Sequence, residues 1–171
     1  MGNINYTYQQ AHSYRTGRHQ SIQSIILHST DGREEGDIAT LTGQTVSVHW
    51  YITRTGKIYH FVQDKDTAYH AGHTSKPKWS NDASIGIEQE HFDPGASHAF
   101  PNGEDWPDVQ IQVAANLVAA LMQRHGILDI QSHAAVAFPH GRKQDPHDYP
   151  WDKFSRLVHQ AMDVEWRFNE L

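Results

Sequence analysis

Residues 132 to 151 read SHAAVAFPHGRKQDPHDYPW, with three histidines, an Arg-Lys pair and two aspartates in one stretch. Pro139, Gly141, Pro146 and Pro150 interrupt it, so it runs neither as a helix nor as a central strand. Ionisable groups gathered on such a loop serve solubility or hold a metal and a catalytic charge. Two histidines stand where the chain leaves an apolar run: His28 after IQSIIL and His133 after GILDI and Ser132. Asp145 follows a Pro/Gly turn that could fold it back toward His133. Two neutral imidazoles and one carboxylate, with a fourth position left to water, form a catalytic zinc pattern. A strand-end histidine is nevertheless more often a hydrogen-bonded structural residue. No compact HExxH motif is present, and on spacing alone His91, His140 and His147 compete for the ligand positions.

Two further side chains fit hydrolytic chemistry. In SIGIEQE, Ile85 and Ile87 take one face of a strand, leaving Ser84, Gly86, Glu88 and Glu90 on the other. Small residues and carboxylates on one face suit a cleft floor better than a core. Lys143, beside a developing oxyanion, would supply positive charge; the plainer reading is a solvated lysine. Trp50, Tyr51, Trp79, Trp106 and Trp151 could line a sugar or peptide groove, although aromatic residues more often fill cores or rims.

These residues need elements to position them. IQSIIL (22–27) reads as a buried strand, and VSVHWYIT and KIYHFV as a hairpin joined by RTG. REEGDIATLTGQ reads as a short helix and turn, and SIGIEQE as a second buried strand. PDVQIQVAANLVAALMQRH reads as a long helix, with Pro107 near its start and Gly126 past its end. WDKFSRLVHQAMDVEWRF reads as another, with Phe154, Leu157, Val158, Ala161, Met162 and Trp166 on one face. Strands interleaved with helices define an α/β domain, here one domain over 1–171 with residues 1–20 as an extension packed on it.

Composition narrows the function. The chain has no cysteine, so any metal is held by histidine and carboxylate, and a thiol nucleophile is excluded. A formal charge of −6 argues against a nucleic-acid partner, and no apolar run is long enough to span a membrane. The first twenty residues lack an apolar signal core, which predicts synthesis in the cytoplasm without a Sec leader.

IILHSTDG, VSVHWYITRTGKIY, AYHAG, SIGIEQE and the 132–151 stretch occur in the order found in zinc-dependent N-acetylmuramoyl-L-alanine amidases. The chain resembles this family, which includes T7-type lysozymes, AmpD-type amidases and peptidoglycan recognition proteins, over residues 22 to 154. The resemblance implies a mixed central β-sheet flanked by helices and one zinc ion per chain. It implies His28, His133 and Asp145 as ligands, Glu88 as general base and Lys143 as oxyanion stabiliser. His49, His70, Arg142 and Trp50 are the substrate-binding candidates. The substrate implied is peptidoglycan or a muropeptide, cleaved by a monomer with no nucleic-acid or membrane partner. The expected setting is a one-domain phage-type endolysin, acting on the wall after release. The alternatives are a cytoplasmic enzyme recycling anhydro-muropeptides and a non-catalytic peptidoglycan-binding module.

The sequence departs from the family pattern in three places. Val48 stands where T7-type members carry a tyrosine, which leaves the proton-transfer duty to Glu88. Ser132 replaces a glycine before His133. The interval from His133 to Lys143 is longer by about two residues than in AmpD-like loops.

Overall fold

The computed structural model describes residues 1–171. Along the chain it places β1 (Gly2–Tyr8), β2 (Tyr14–Arg15), β3 (Ser24–Leu27), α1 (Glu34–Leu41), β4 (Trp50–Ile52), β5 (Ile58–His60) and β6 (Thr67–Ala68). A 3₁₀ turn (Pro77–Trp79) precedes β7 (Ser84–Gln89), α2 (Asp108–His125), β8 (Asp129–Ser132), the one-turn α3 (His133–Val136), α4 (Trp151–Ala161) and β9 (Trp166–Glu170).

Seven strands form one sheet in the order β8-β3-β7-β4-β5-β1-β9, and β2 and β6 make a small ribbon. Only the β4–β5 hairpin is antiparallel within the large sheet; its five other neighbouring pairs are parallel. The fold is thus the mixed α/β arrangement expected. Both long helices cover one face. Ile25, Leu27, Ile85 and Ile87 pack there against Ile111, Leu117, Val118 and Leu121 of α2 and Phe154 and Val158 of α4. Burying each such side chain stabilises the fold by roughly 1.5–3 kcal/mol. Helix α2 is delimited as its sequence predicts: Pro107 stands just before its first turn, Arg124 and His125 occupy the last turn, and Gly126 stops it with φ 67°.

Two expectations need correction. Residues 1–20 are not an extension lying on the domain, because β1 is an inner strand of the sheet, paired with both β5 and β9. The pattern GNINYTY alternates, burying Ile4 while Asn3 and Asn5 are exposed. The last helix ends at Ala161, and Trp166 opens β9, opposite Gly2 of β1. Trp166 follows Met162 by four positions and so mimics helical spacing, but Trp166 and Phe168 pack on the core while Arg167 and Asn169 do not, a period of two.

Candidate active site

Three parallel neighbours, β8, β3 and β7, end together, which is where open α/β sheets bind ligands. Leu27 pairs with Ser132 on one side and Ile87 on the other. The next residue on each strand is therefore His28, His133 or Glu88. The amide of His28 donates to the Ile87 carbonyl at 2.9 Å and fixes this register past the end of β3. The pleat turns Ile85 and Ile87 into the helical layer and puts Ser84, Gly86 and Glu88 on the opposite face.

Asp145 arrives from the long loop. Ser132 caps α3, its Oγ accepting from Ala135 N at 3.1 Å, so the serine found before His133 starts the turn that orients it. The amide of Ala134 then donates to the Asp145 carbonyl at 2.9 Å and brings the loop back. Arg142 ties the loop to residues 71–73, donating to the carbonyls of Ala71 (3.2 Å) and His73 (2.9 Å).

His28, His133 and Asp145 converge. Nδ1 of His28 lies 3.0 Å from Nδ1 of His133 and 3.4 Å from Oδ2 of Asp145, and His133 Nδ1 lies 3.1 Å from that oxygen. Nε2 of His133 faces the Ala71 carbonyl at 3.1 Å. A carbonyl only accepts, so Nε2 carries the proton and Nδ1 presents a lone pair. Three acceptor atoms this close repel one another unless a cation or a proton lies between them. Tetrahedral ligands at 2.0–2.2 Å from zinc would be separated by about 3.3–3.6 Å, close to the spacings here, so this donor set fits zinc. Both rings are buried, His28 at 1% and His133 at 4% exposure. Burial, with the His133 charge adding to it, lowers the His28 pKa to about 4 against the Asp145 hydrogen bond, so His28 is a neutral donor at pH 7. Burial would raise the Asp145 carboxyl, but the two imidazoles, which donate to it once protonated, outweigh burial and hold Asp145 well below the usual range.

These residues border a cavity of about 860 Å³, also lined by Glu88, His70, Arg142 and Lys143. Burial, reinforced by the negative charges of Asp145 and Asp37, pushes the Glu88 carboxyl well above its ordinary pKa, while Lys143 opposes them. Its Oε2 is buried without a hydrogen-bond partner. Asp31, Asp37 and Asp93 line the cavity too. No sequence motif singled them out, since a loop carboxylate carries no local signal of what it faces.

The other candidates are distributed differently. Trp50 is fully buried, stacked on His60 at 3.7 Å with Nε1 donating to Asp64, so it has no surface for substrate. His49 is also fully buried; its Nδ1 accepts from Gly86 N at 3.0 Å and its Nε2 lies beside Arg18, in the framework behind the cleft. His70 borders the cavity with both ring nitrogens engaged, Nδ1 by His28 and Nε2 by Ser84. Among the rival ligands, His91 is stacked on Trp106 and bonded to Asp93 and the Glu104 carbonyl, while His147 pairs with Asp148. Neither they nor the exposed His140 joins the cluster.

The mixed sheet brings two imidazoles and a glutamate to its strand ends, and the loop adds a carboxylate, so the α/β domain carries a donor set that could hold a metal ion. A family model described as N-acetylmuramoyl-L-alanine amidase matches residues 18–148, and the chain belongs to that family. It is 31% identical over 142 residues to the 1,6-anhydro-N-acetylmuramyl-L-alanine amidase AmpD of Citrobacter freundii, covering 80% of this chain and 70% of that protein. It is 29% identical over 150 residues to the N-acetylmuramoyl-L-alanine amidase AmiD of Escherichia coli (strain K12), covering 79% of this chain but 52% of that protein, so it spans about half of AmiD's length. The structure of E. coli AmiD with the substrate anhydro-N-acetylmuramic acid-L-Ala-D-γ-Glu-L-Lys superposes with a TM-score of 0.70 at 26% identity, over 84% of this chain and 60% of that one. The endolysin amidase LysCS from Clostridium intestinale URNW shares the fold, with a TM-score of 0.64 at 18% identity over 92% of this chain and 95% of that one.

Proposed function

We propose that the protein hydrolyses the amide between N-acetylmuramic acid and the L-alanine that begins the stem peptide of peptidoglycan. One zinc ion held by His28, His133 and Asp145 would serve the reaction. The observation that carries this reading is the convergence of three lone-pair donors within 3.0–3.4 Å, in a cavity shared with Glu88 and Lys143. Family membership and the substrate bound to AmiD support the choice of amide.

A catalytic zinc supplies Lewis acidity, polarising a carbonyl oxygen and lowering the pKa of water to about 7. The chain's residues do the rest. Glu88, raised in pKa, takes a proton from the attacking water as its oxygen bonds to the carbonyl carbon. It returns that proton to the alanine nitrogen as the C–N bond breaks. Lys143 faces the same cavity and offsets the negative charge on the former carbonyl oxygen. The products are a lactyl carboxylate and a peptide with a new L-alanine amino terminus.

The proposed setting is an endolysin working on the intact wall, in keeping with the fold shared with LysCS. The 31% identity to AmpD favours a second setting, cleavage of soluble anhydro-muropeptides. One experiment addresses the reaction and both settings. Purified sacculi and a soluble anhydro-muropeptide are incubated with the protein, with a chelator, and with chelator followed by zinc, and products are read by mass spectrometry. The proposal predicts free peptides beginning in L-alanine, lost with chelator and restored by zinc. Turnover of sacculi supports the endolysin; turnover of the soluble substrate alone supports recycling. Binding to sacculi with no new termini would leave a recognition module.

A further inference from the structure

We propose that His70 and Ala71 form a bracket that fixes the tautomer and ring orientation of both metal-facing histidines, and that Asn81 holds the bracket in place. The inference rests on the metal centre proposed above. His28 and His133 reach the site from strands β3 and β8, yet their outward nitrogens meet adjacent residues of one segment. Nε2 of His133 donates to the Ala71 carbonyl at 3.1 Å, and Nε2 of His28 lies 3.0 Å from Nδ1 of His70. If His28 gives its Nδ1 lone pair to the metal, its neutral ring must carry the proton on Nε2, and in a side chain 1% exposed that proton needs a protein acceptor. His70 Nδ1 is that acceptor. His70 then carries its own proton on Nε2, facing Ser84 Oγ at 3.3 Å, and Ser84 Oγ can donate onward to the Ser80 carbonyl at 2.7 Å.

The bracket is held from behind. Oδ1 of Asn81 accepts from the backbone N–H groups of both His70 (3.1 Å) and Ala71 (2.8 Å), so one side-chain atom locates the two acceptors together. The carbonyl of Asn81 is in turn held by Arg18 at 3.1 Å. Arg142 donates to the Ala71 carbonyl from the other side, which ties the loop carrying Asp145 to the same atom. On β7 the absence of a side chain makes room: a Cβ on Gly86 would stand 2.5 Å from Cγ of His70. His70 is thus a positioning residue, although it borders the cavity, and Asn81 positions it without lining the cavity.

The test measures zinc affinity of the full chain by competition with a chromophoric chelator, and thermal melting of the metal-free protein as a separate readout of folding. Partners that support metal-ligating histidines typically contribute 10–100-fold in affinity, so His70→Leu is expected to weaken zinc binding by about 10–100-fold. His70→Asn, whose Oδ1 can stand where Nδ1 stands, is expected to recover most of that loss. Asn81→Ala should weaken zinc while Asn81→Asp, which keeps an acceptor, does not; this pair carries the test if His70→Leu does not fold. Wild-type affinity in folded His70→Leu, with affinity abolished in His28→Ala, would overturn the bracket and leave the metal centre standing. Equal weakening in His70→Leu and His70→Asn, or in both Asn81 variants, would overturn it as well. A wild-type protein that binds no zinc, or binds it equally without His28, would overturn the metal centre and the bracket together.

Discussion

Nδ1 of His133 lies 3.1 Å from Oδ2 of Asp145, twelve positions away. The same two ends are joined through the backbone, Ala134 N to the Asp145 carbonyl at 2.9 Å. The carboxylate is therefore delivered by a closed loop, and its charge can be removed without opening that closure. Asp145→Asn is expected to keep the fold and to lose more zinc affinity than the roughly 10–100-fold typical of a supporting partner. Chelator competition measures it, and amidase activity should fall in parallel. A variant that binds zinc as tightly as wild type would exclude Asp145 as a ligand.

On the proposed mechanism, Glu88 separates proton transfer from metal binding. Glu88→Gln is expected to reduce kcat by about 10²–10⁴ and to leave zinc affinity unchanged. Its carboxyl is raised above the ordinary glutamate value by burial and by Asp145 and Asp37. That direction belongs to the metal-free protein, because a bound dication would favour the ionised carboxylate. Linkage gives the matching stability effect. A folded-state pKa above the unfolded one means stability falls as pH rises from about 4.3 toward the folded value. Glu88→Gln lacks that fall, so metal-free Glu88→Gln should melt above metal-free wild type at pH 8. An equal or lower melting temperature would contradict the raised pKa.

Lys143 is exposed, lines the cavity and holds no hydrogen bond or ion pair within the chain. Removing it should therefore leave stability nearly untouched. Lys143→Met is expected to lower kcat by about 10²–10³, the effect of losing one oxyanion-stabilising group. Steady-state kinetics with a soluble muropeptide would show the loss in kcat rather than KM. A loss confined to KM would make Lys143 a binding residue.

Gly86 tests the close approach beneath His70. A Cβ there would stand 2.5 Å from Cγ and 2.6 Å from Nδ1 of the imidazole, distances that side chains do not occupy. Gly86→Ala must move His70, so both melting temperature and zinc affinity should fall. An unchanged melting temperature would mean that the ring has free space to retreat into.

How far the sequence exposed this site follows from what each residue's neighbours could signal. The strand-end positions of His28 and Glu88 were legible because apolar runs precede them and period-two alternation assigns Glu88 its face. The burial of Trp50 and His49 was not. VSVHWYIT alternates, with Ser47, His49 and Thr53 between apolar residues, which reads as a strand with one open face; residues 47–53 are in fact all buried, and covering of the second face leaves no mark in that pattern. β9 was hidden because five residues carry too short a pattern to override helical spacing, and its partner β1 lies at the other end of the chain. Asn81 was invisible for a related reason: its bonds go to backbone N–H groups, which leave no trace in side-chain identity.

A second buried polar cluster, removed from the cavity, should govern acid stability. Asp64 accepts from Trp50 Nε1 at 2.9 Å and from His125 Nε2 at 2.9 Å, with His60 Nε2 at 3.6 Å and Arg124 at 3.6 Å. Burial alone would raise its carboxyl, but the interactions with His125 and His60 outweigh it and hold the carboxyl well below the usual range. A depressed folded-state pKa contributes stability that is fully present above the unfolded value of about 3.9 and is lost as pH falls through the folded one. Asp64→Ala removes that contribution and leaves the Trp50 N–H buried without an acceptor, so it should cost about 1.5–3 kcal/mol at pH 7. Asp64→Asn retains an acceptor for Trp50 and should cost less. Both variants should lose stability less steeply than wild type below pH 4. Urea denaturation from pH 3 to 8 measures all three proteins; an Asp64→Ala protein as stable as wild type at pH 7 would show that the cluster does not contribute to the fold.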